Sequence, residues 1–475
     1  MSKRILICNR GEIAIRVAKA IRELGHIAVG FYTDNEKEAP HLEYCHEWVH
    51  LQGQSNSETY LNIEQILNVI KTHEIDAVHP GYGFLSENTQ FAAALAKAGV
   101  TFIGPHADAI EKMGDKAISK QMAKEAGVPV VPGSTGEIAN AEEAKKIAQE
   151  IGYPVLLKAV AGGGGKGMRT CADEKELEKN FEPVQREARS SFGNPGLLVE
   201  KFIVNPHHIE VQIIADNKGN IFHCFERECS VQRRHQKIVE EAPSPFIGED
   251  EELRKNICET AVRLAAAVNY NSAGTVEFIM GEDKNFYFLE MNTRIQVEHP
   301  ITEEITGIDL VANMIKVAVG EPLDFEKQED IKRNGHSIEC RICAEDPVSM
   351  LPAPGIVQAF ETTFPQGVRF DYCFYPSFEV KPDFDPMIGK LIVRGSSREV
   401  AIRKMRSALE GLEMDGIKTN IKLHEIIINE PNFVAGKYST NYIATIQPQN
   451  EVEKLVREED LYLKAISYEA YRMRE

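Results

Sequence analysis

The stretch 286–300, FYFLEMNTRIQVEHP, restricts what this chain can fold into more than any other part of it. It begins with an apolar run, 286–289, which is typical of a buried strand. Polar side chains then occupy every second position, namely Glu290, Asn292, Arg294, Gln296 and Glu298. In an extended chain they all project from one face. A solvated strand face is one interpretation, but carboxylates, amides and a guanidinium in one row favour a binding or catalytic site.

A further carboxylate, Glu277, lies just upstream in the strand-like run GTVEF. Turn residues at 281–284 separate the two runs, so we expect antiparallel strands that place Glu277 beside Glu290 and Asn292. Carboxylate and amide oxygens are hard ligands, and they suit Mg²⁺ that also contacts nucleotide phosphates. The two runs therefore predict a metal site.

Length and charge narrow the class of protein. The 475 residues are enough for roughly three domains. A net charge of −18 argues against a nucleic-acid partner. No apolar run approaches the ~20 residues of a membrane helix, and the start MSKRILIC lacks a signal-peptide core, so we expect no membrane association.

The nine cysteines are scattered and odd in number, which favours reduced thiols and a cytoplasmic protein. Cys340 and Cys343 form a C-x-x-C pair inside SIECRIC, which alternates as a strand. The two thiols would face opposite sides of that strand, so we do not expect a zinc or redox pair.

The N-terminal residues predict a doubly wound sheet. A strand at 4–8, a helix with an apolar face and a strand at 27–33 form its first unit. The turn between strand and helix holds only Gly11 instead of G-x-G-x-x-G, so the dinucleotide-binding signal is weak. The loop 79–88, HPGYGFLSEN, follows a further predicted strand, and it is either a simple turn or part of a site.

A glycine-rich loop at 161–167, AGGGGKG, lies between predicted strands at 154–160 and 168–171. Backbone N–H groups of such a loop can surround phosphate oxygens, and Lys166 adds charge. The loop does not fit G-x-x-x-x-G-K-[ST], and no helix follows it. A flexible linker is the alternative interpretation.

Three later segments complete the pattern. Residues 208–225 alternate as a hairpin, and 229–237, CSVQRRHQK, are interpreted as a basic loop that is either solvated or a charge clamp for phosphate. Beyond 320 the chain shifts to short strands and turns. The tail from 447 is charged, and Val452, Leu455 and Val456 predict a surface helix there.

Together these features predict a nucleotide-dependent ligase that activates an anion through an acyl phosphate, because phosphoryl transfer needs mainly positioning and charge neutralisation. The chain also resembles biotin carboxylase, an ATP-grasp enzyme. The similarity runs from residue 3 to about 445 and rests on NRGEIAIR (9–16), HPGYGFLSEN (79–88), MGDK (113–116), GGGGKGM (162–168), EMNTRIQVEHPITE (290–303), ECRICAEDP (339–347) and MIGKLI (387–392).

The resemblance implies an α/β fold in several parts. These are an N-terminal doubly wound Rossmann-like domain (1–114), an ATP-grasp domain (115–330) with a mobile glycine-loop lid of about 131–204, a C-terminal α+β domain (331–446) and a helical tail (447–475). It also implies a reaction in which bicarbonate and Mg·ATP form carboxyphosphate, which carboxylates N1′ of biotin on a carrier protein.

Residue roles follow from the matching motifs. The resemblance implies ATP contacts from Lys116, Lys158, Gly163, Gly164, Gly165, Lys166, Gly167, Glu200, Lys201, Ile203, His208, Gln232 and His235. It implies metal ligation (Mg²⁺, or Mn²⁺) by Glu277, Glu290 and Asn292. It implies bicarbonate or biotin contacts from Tyr82, Lys237, Arg294, Gln296, Val297, Glu298 and Arg341. Glu298 would be the base, Lys237 and Arg294 would hold the anion, and Arg341 would stabilise the biotin enolate.

An ordinary Glu is a weak base, so we expect burial or a like charge to raise the pKa of Glu298. The family also implies a homodimer with Arg16, Lys19 and Glu23 at the contact. No Ala-Met-Lys-Met-type biotinyl site occurs, and the nearest sequence surrounds Lys316 in an apolar helix. We therefore expect the biotin carboxyl carrier and the carboxyltransferase of an acetyl-CoA, pyruvate or 2-oxoacid carboxylase to be separate chains.

Three alternatives remain at this point. Another ATP-grasp ligase, such as a carbamoyl-phosphate-type enzyme, would share the nucleotide-binding parts. An NAD-binding oxidoreductase rests only on the first strand–helix–strand unit. A non-catalytic nucleotide-binding subunit would keep the fold and lose chemical residues.

Overall fold

The computed structural model describes residues 2–138, 140–160, 168–192 and 194–458. The chain divides into two compact units. The first consists of the described parts of Met1–Met122, His207–Glu277 and Glu290–Glu475, and the second of those of Ala123–Pro206 and Phe278–Leu289. Within the described residues, no helix is long and apolar enough to cross a membrane.

The strands are numbered in chain order. They are β1 Arg4–Ile7, β2 Ile27–Thr33, β3 Glu47–Leu51, β4 Ala77–His79, β5 Thr101–Phe102, β6 Val155–Ala159, β7 Met168–Cys171, β8 Leu197–Lys201, β9 His207–Ala215, β10 Ile221–Arg233, β11 Gln236–Ala242, β12 Ser272–Met280, β13 Phe286–Asn292, β14 His336–Cys343, β15 Gly355–Val357, β16 Ala359–Thr362, β17 Val368–Tyr372, β18 Phe378–Val380, β19 Met387–Gly395 and β20 Leu412–Asp415.

The helices are numbered in the same way. They are α1 Gly11–Glu23, α2 Ile63–Thr72, α3 Thr89–Lys97, α4 Ala107–Gly114, α5 Lys116–Glu125, α6 Ala141–Ile151, α7 Glu174–Phe192, α8 Glu251–Ala267, α9 His299–Thr306, α10 Leu310–Val319, α11 Arg398–Glu410, α12 Ile421–Asn429, α13 Pro431–Val434 and α14 Tyr442–Ile446. Short 3₁₀ helices lie at Pro40–Tyr44 and Gln328–Asp330.

The predicted doubly wound sheet is confirmed in the first unit. Its five parallel strands have the order β3-β2-β1-β4-β5, so the chain reverses direction of winding after β3. The central strand β1 is apolar, with Ile5, Leu6 and Ile7 fully buried. Such a parallel sheet keeps its polar loops at the carboxyl ends of the strands, where both Asn9–Glu12 and the 79–88 loop begin.

The larger sheet carries the polar stretch with which the sequence analysis began. Its order is β13-β12-β9-β10-β11-β14-β19-β17. The pairs β9–β10, β10–β11, β11–β14, β14–β19 and β19–β17 are antiparallel. This order brings residues from distant parts of the sequence onto adjacent strands.

The second unit is built on the three-stranded antiparallel sheet β7-β6-β8, which packs against α6 and α7. Its core includes Val155, Leu157 and Val199, all fully buried. The predicted glycine-loop residues 161–167 lie outside the described residues.

Two sequence expectations were wrong. Residues 229–237 are not a loop but the facing ends of β10 and β11, joined at Arg234 and His235, whose φ angles of 51° and 66° fit a tight hairpin turn. The row of polar residues does not stay extended, because β13 ends at Asn292. The predicted tail helix is present over its described part, 449–458, where Val452 is buried in the C-terminal core and Val456 is exposed.

A buried polar network ties the last helices to the larger sheet. Glu241 on β11 accepts hydrogen bonds from Arg398 Nε (2.7 Å) and Nη2 (3.0 Å), from Tyr438 and from His336, whose Nε2 lies 2.5 Å away. Burial by itself raises the pKa of Glu241, but Arg398 and His336 outweigh it and lower the pKa to about 2. Because this is below the ordinary value of 4.5, Glu241 stabilises the fold fully above pH 4.5 and loses that contribution as the pH falls towards 2.

We expect Arg398→Met to lower the free energy of unfolding by about 3 kcal/mol at pH 7, because it leaves a buried carboxylate without its main partner. The difference from the wild type should shrink between pH 4.5 and pH 3. Thermal unfolding across this pH range is the measurement. Arg403→Met, on the exposed side of the same helix, is the control. An Arg398→Met effect that does not change with pH would contradict the assignment to Glu241.

Candidate active site

The centre of the candidate site is a lysine ammonium between three carboxylates. Lys237 Nζ lies 2.6 Å from Glu210 Oε2, 3.0 Å from Glu277 Oε1 and 2.6 Å from Glu298 Oε1. Glu210, Lys237 and Glu277 come from β9, β11 and β12 of the larger sheet, and Glu298 precedes α9. The carboxylates are buried, so their charges require the cation.

Arg227 is the second cation of this centre, and it is fully buried. It pairs with Glu210 across β10 and β9, and its Nε lies 2.5 Å from Glu210 Oε1. The rest of the guanidinium donates to Gln212, Thr275, Gln296 and Thr302. A planar five-donor group is thus fully used to fix the surrounding side chains.

Arg341 on β14 holds the other side of Glu298. Its Nη2 lies 2.9 Å from Glu298 Oε2, and its Nε donates to Glu240 Oε1 at 2.6 Å. Burial raises the pKa of Glu240 to about 7, although Arg341 opposes the shift. The sequence-predicted residues Lys237, Glu298 and Arg341 therefore lie in one connected network.

The expected rise in the pKa of Glu298 is wrong. Burial alone raises this pKa and Glu210 adds to the rise, but Lys237, Arg341 and Arg227 outweigh them, so the pKa lies below its ordinary value. Glu298 is consequently a carboxylate at neutral pH. The prediction failed because it considered burial and like charges without the cations that the fold brings from three other strands.

Of the predicted metal ligands, Glu277 and Asn292 are in contact. Asn292 Nδ2 donates to Glu277 Oε1 at 2.9 Å, as does Gln296 Nε2 at 2.8 Å, and His208 Nε2 lies 3.1 Å from Glu277 Oε2. Burial alone raises the pKa of Glu277, but Lys237 and His208 bring it well below the ordinary value. The predicted proximity of Glu277 to Asn292 is therefore present.

Glu290 differs from these two. It is exposed, and within the described residues its carboxylate forms no hydrogen bond or ion pair. Desolvation and then Glu277 raise its pKa, which places the two carboxylates within electrostatic range. Two carboxylates and an amide oxygen, with the Glu290 carboxylate unpaired among the residues that the structure describes, fit a hard divalent cation such as Mg²⁺.

The other residues predicted to contact bicarbonate or biotin, namely Arg294, Val297 and Tyr82, have different partners. Arg294 Nε donates to Glu87 Oε2 (2.9 Å) in the 79–88 loop, and its Nη2 donates to Asn292 Oδ1 (3.0 Å). The Val297 carbonyl accepts from Lys390 Nζ at 2.9 Å. The Tyr82 hydroxyl donates to Glu12.

The predicted ATP residues fall into both units. In the first unit, Lys116 and His235 are exposed, whereas Gln232 is buried and donates to the Cys229 carbonyl at 2.8 Å. His208 lies beside Glu277. Burial lowers the pKa of His208, but Glu277 outweighs burial and raises this pKa to about 9.

In the second unit, Lys158 Nζ lies 2.6 Å from Glu200 Oε2. Lys201 Nζ donates to the carbonyls of Gly152 (2.9 Å) and Tyr153 (3.1 Å), and Ile203 is half-buried. Gly163, Gly164, Gly165, Lys166 and Gly167 lie outside the described residues.

Sequence reasoning missed several residues of the network, namely Glu12, Glu87, Glu210, Arg227, Glu240 and Lys390. A signal existed for some of them, because Glu210 and Arg227 are charges inside otherwise apolar strands, where an unpaired charge is costly. Their partners could not be read from the sequence, since they depend on strand order and register.

The comparisons with known proteins identify the family and agree with the fold. The chain matches the biotin carboxylase N-terminal domain at residues 1–110, the ATP binding domain of the carbamoyl-phosphate synthase L chain at 115–326 and the biotin carboxylase C-terminal domain at 339–445. Biotin carboxylase 1 of Bacillus subtilis is 47% identical over 447 residues, which cover 94% of this chain and 99% of that protein.

Two further similarities involve Hydrogenobacter thermophilus. Its 2-oxoglutarate carboxylase small subunit is 48% identical over 444 residues, 93% of each chain. A solved structure of the biotin carboxylase domain dimer of that enzyme, with MgADP, ADP and bicarbonate, has a TM-score of 0.84 and 48% identity to this chain. It covers 94% of this chain and 98% of that one.

The fold and the nucleotide-binding domain define an ATP-dependent ligase of the ATP-grasp class. The chain belongs to the biotin carboxylase family. The flanking N- and C-terminal domains disfavour a carbamoyl-phosphate-type ligase, although the central domain is shared with it. The oxidoreductase alternative finds no support in these matches.

Proposed function

We propose that this chain catalyses the first half-reaction of a biotin-dependent carboxylase. Bicarbonate attacks the γ-phosphate of ATP, which releases ADP and forms carboxyphosphate. The carboxyl group is then transferred to N1′ of biotin on a separate carrier, and phosphate leaves. The observation that carries this proposal is the buried, ionised Glu298 held between Lys237 and Arg341, because it offers a base and two anion-binding cations at one point.

Glu298 acts as the base that deprotonates bicarbonate, with Arg294, Gln296, Lys237 and the Val297 N–H around the anion. The low pKa of Glu298 describes the site without an anion. When Lys237 and Arg341 turn to a bound anion, they withdraw charge stabilisation from Glu298, and its basicity rises. The Arg294 fork is suited to a planar, carboxylate-like ligand.

The residues that the family resemblance assigns to ATP would bind the nucleotide, and Glu277, Glu290 and Asn292 would hold Mg²⁺, or Mn²⁺ in its place. The cation would neutralise charge that develops on the phosphates during transfer. The chain contributes the rest by positioning: Glu277 is fixed by Lys237 and Gln296, and Asn292 is fixed by Glu277.

For the second step, Arg341 stabilises the enolate of biotin and Tyr82 borders the ring. Both side chains are half-buried and are held by hydrogen bonds to Glu240 and Glu12, so they are pre-oriented. The biotin carrier and a carboxyltransferase act as separate chains, in a complex whose acceptor is acetyl-CoA, pyruvate or a 2-oxoacid. The related subunit of a 2-oxoglutarate carboxylase favours the last group.

We also propose a homodimer with the exposed Lys19 and Glu23 of α1 at its contact, as supported by the dimeric relative. Arg16 would act at this contact indirectly, because its guanidinium donates to Glu303 and Asp309 of the same chain. The cytoplasm is the proposed location, and the nine free cysteines fit a reducing compartment.

We expect ADP release from Mg·ATP to require bicarbonate and to be accelerated by free biotin, because the anion is the nucleophile and biotin consumes the intermediate. A coupled assay that varies each compound separately is the measurement. NADH and NADPH should not be consumed. ADP release that ignores biotin would exclude the proposed reaction and favour another ligase.

Glu298→Gln should lower biotin-dependent turnover by ~10²–10⁴-fold and leave Mg·ADP affinity almost unchanged, because the amide keeps the shape and loses the base. Glu290→Gln should instead raise the Mg²⁺ concentration needed for half-maximal rate. Steady-state kinetics and Mg·ADP titration separate the two. Glu304→Gln, outside the network, is the control. Wild-type turnover in Glu298→Gln with weakened metal binding would contradict both roles.

A further inference from the structure

Residues 293–298, which connect β13 to α9 and end at the proposed base Glu298, are called the base segment below. Two charged side chains that the proposed mechanism does not use, Lys390 and Glu12, lie next to this segment. Lys390 on β19 is fully buried, and its Nζ donates to the Val297 carbonyl at 2.9 Å. The same Nζ lies 3.2 Å from Glu12 Oε2 at the start of α1. Glu12 is 4% exposed, and its Oε1 accepts the hydrogen bond from Tyr82. Three separate sequence motifs thus meet at one ammonium group, and Tyr82 of a fourth motif joins them through Glu12.

Strand register explains why the base segment is held at two points. Lys390 and Arg341 are directly opposite each other on β19 and β14, so their side chains project from the same face. Arg341 binds the carboxylate of Glu298, and Lys390 binds the carbonyl of the preceding residue, Val297. Two adjacent cations therefore fix consecutive residues of one segment.

The base segment needs such support because it is irregular. β13 ends at Asn292 and α9 begins at His299, so the carbonyl of Val297 belongs to neither a strand ladder nor a helix. A rotation of the Val297–Glu298 peptide would move the Val297 carbonyl and the Glu298 N–H, and it would change the backbone from which the Glu298 side chain projects. The hydrogen bond from Lys390 to the Val297 carbonyl opposes this rotation.

Stability alone does not account for a lysine at this position. Burying an ammonium and a carboxylate together costs several kcal/mol of desolvation per ion, and replacing such a pair by apolar side chains is often neutral or stabilising. The pair is fully enclosed, yet it ends on a backbone carbonyl one residue from Glu298. The role of the Lys390–Glu12 pair therefore lies in holding the geometry of the backbone next to Glu298.

We propose that Lys390 is a positioning residue that fixes the Val297–Glu298 peptide, with Glu12 as its counter-ion. Because Glu12 also holds the Tyr82 hydroxyl, the same pair links the base segment to the ring that borders biotin. This inference rests on the proposed role of Glu298 as the base.

The test compares Lys390→Met with the double variant Glu12→Gln/Lys390→Met, both in the full chain. The single variant leaves Glu12 buried without its cation, so its Tm should fall. The double variant removes both charges, so its Tm should return most of the way to that of the wild type. Biotin-dependent kcat should nevertheless stay ~10²-fold low in the double variant, the size expected for a small misplacement of reacting groups.

KM for Mg·ATP should change by less than about twofold in the double variant, because the nucleotide residues are not attached to this pair. Arg394→Met, on the same strand and without contact to Val297, is the control and should behave like the wild type. A double variant with recovered Tm and near-wild-type kcat would overturn the inference. So would a double variant that remains as unstable as the single one, since the pair would then be structural.

The two proposals fail in different ways. Wild-type ADP release that does not depend on bicarbonate would overturn the proposed function, and the positioning role with it. Bicarbonate- and biotin-dependent turnover in the wild type, together with an unimpaired double variant, would overturn the role of Lys390 alone.

Discussion

The ammonium group of Lys237 lies within 3.0 Å of the carboxylates of Glu210, Glu277 and Glu298, and the rest of the candidate site depends on this contact. Without a central cation, three buried carboxylates would repel one another and take up protons. With Lys237, and with Arg227 and Arg341 behind it, they stay ionised at fixed positions. One of them can then serve a metal while another serves as a base. The strand order of the larger sheet places those cations close together, because β10, β11 and β14 are neighbours in it.

Under the proposed function, the same contact would let the charge on Glu298 respond to a bound anion. In the structure Lys237 and Arg341 hold the pKa of Glu298 below its ordinary value. An anion that draws these cations to itself would leave Glu298 buried and more basic, which is when a base is required. In the proposed mechanism, the cations that would bind the substrate are the same groups that restrain the base, so substrate binding would activate the base without a large movement of the chain.

The sequence allowed a good part of this to be predicted, for identifiable reasons. The apolar run of β13, the turn after β12 and the carboxylates around them are local patterns, and the contact of Glu277 with Asn292 follows from them. The continuation of the row to Glu298 was predicted as a strand, yet the chain turns after Asn292, and Glu298 reaches the site from the position just before α9. The partners of Glu298 and Val297 depend on β11, β14 and β19, whose pairing no local pattern contains. The predicted rise in the pKa of Glu298 was wrong for that reason.

The central claim is that bicarbonate, held in this network, attacks ATP. It is tested most directly by a single turnover of Mg·ATP with ¹⁸O-labelled bicarbonate and biotin, followed by mass analysis of the released phosphate. If carboxyphosphate forms, the attacking bicarbonate oxygen remains on phosphorus when the carboxyl group leaves, and the phosphate carries one ¹⁸O. Unlabelled phosphate, with its new oxygen taken from water, would show that the protein hydrolyses ATP and would contradict the account.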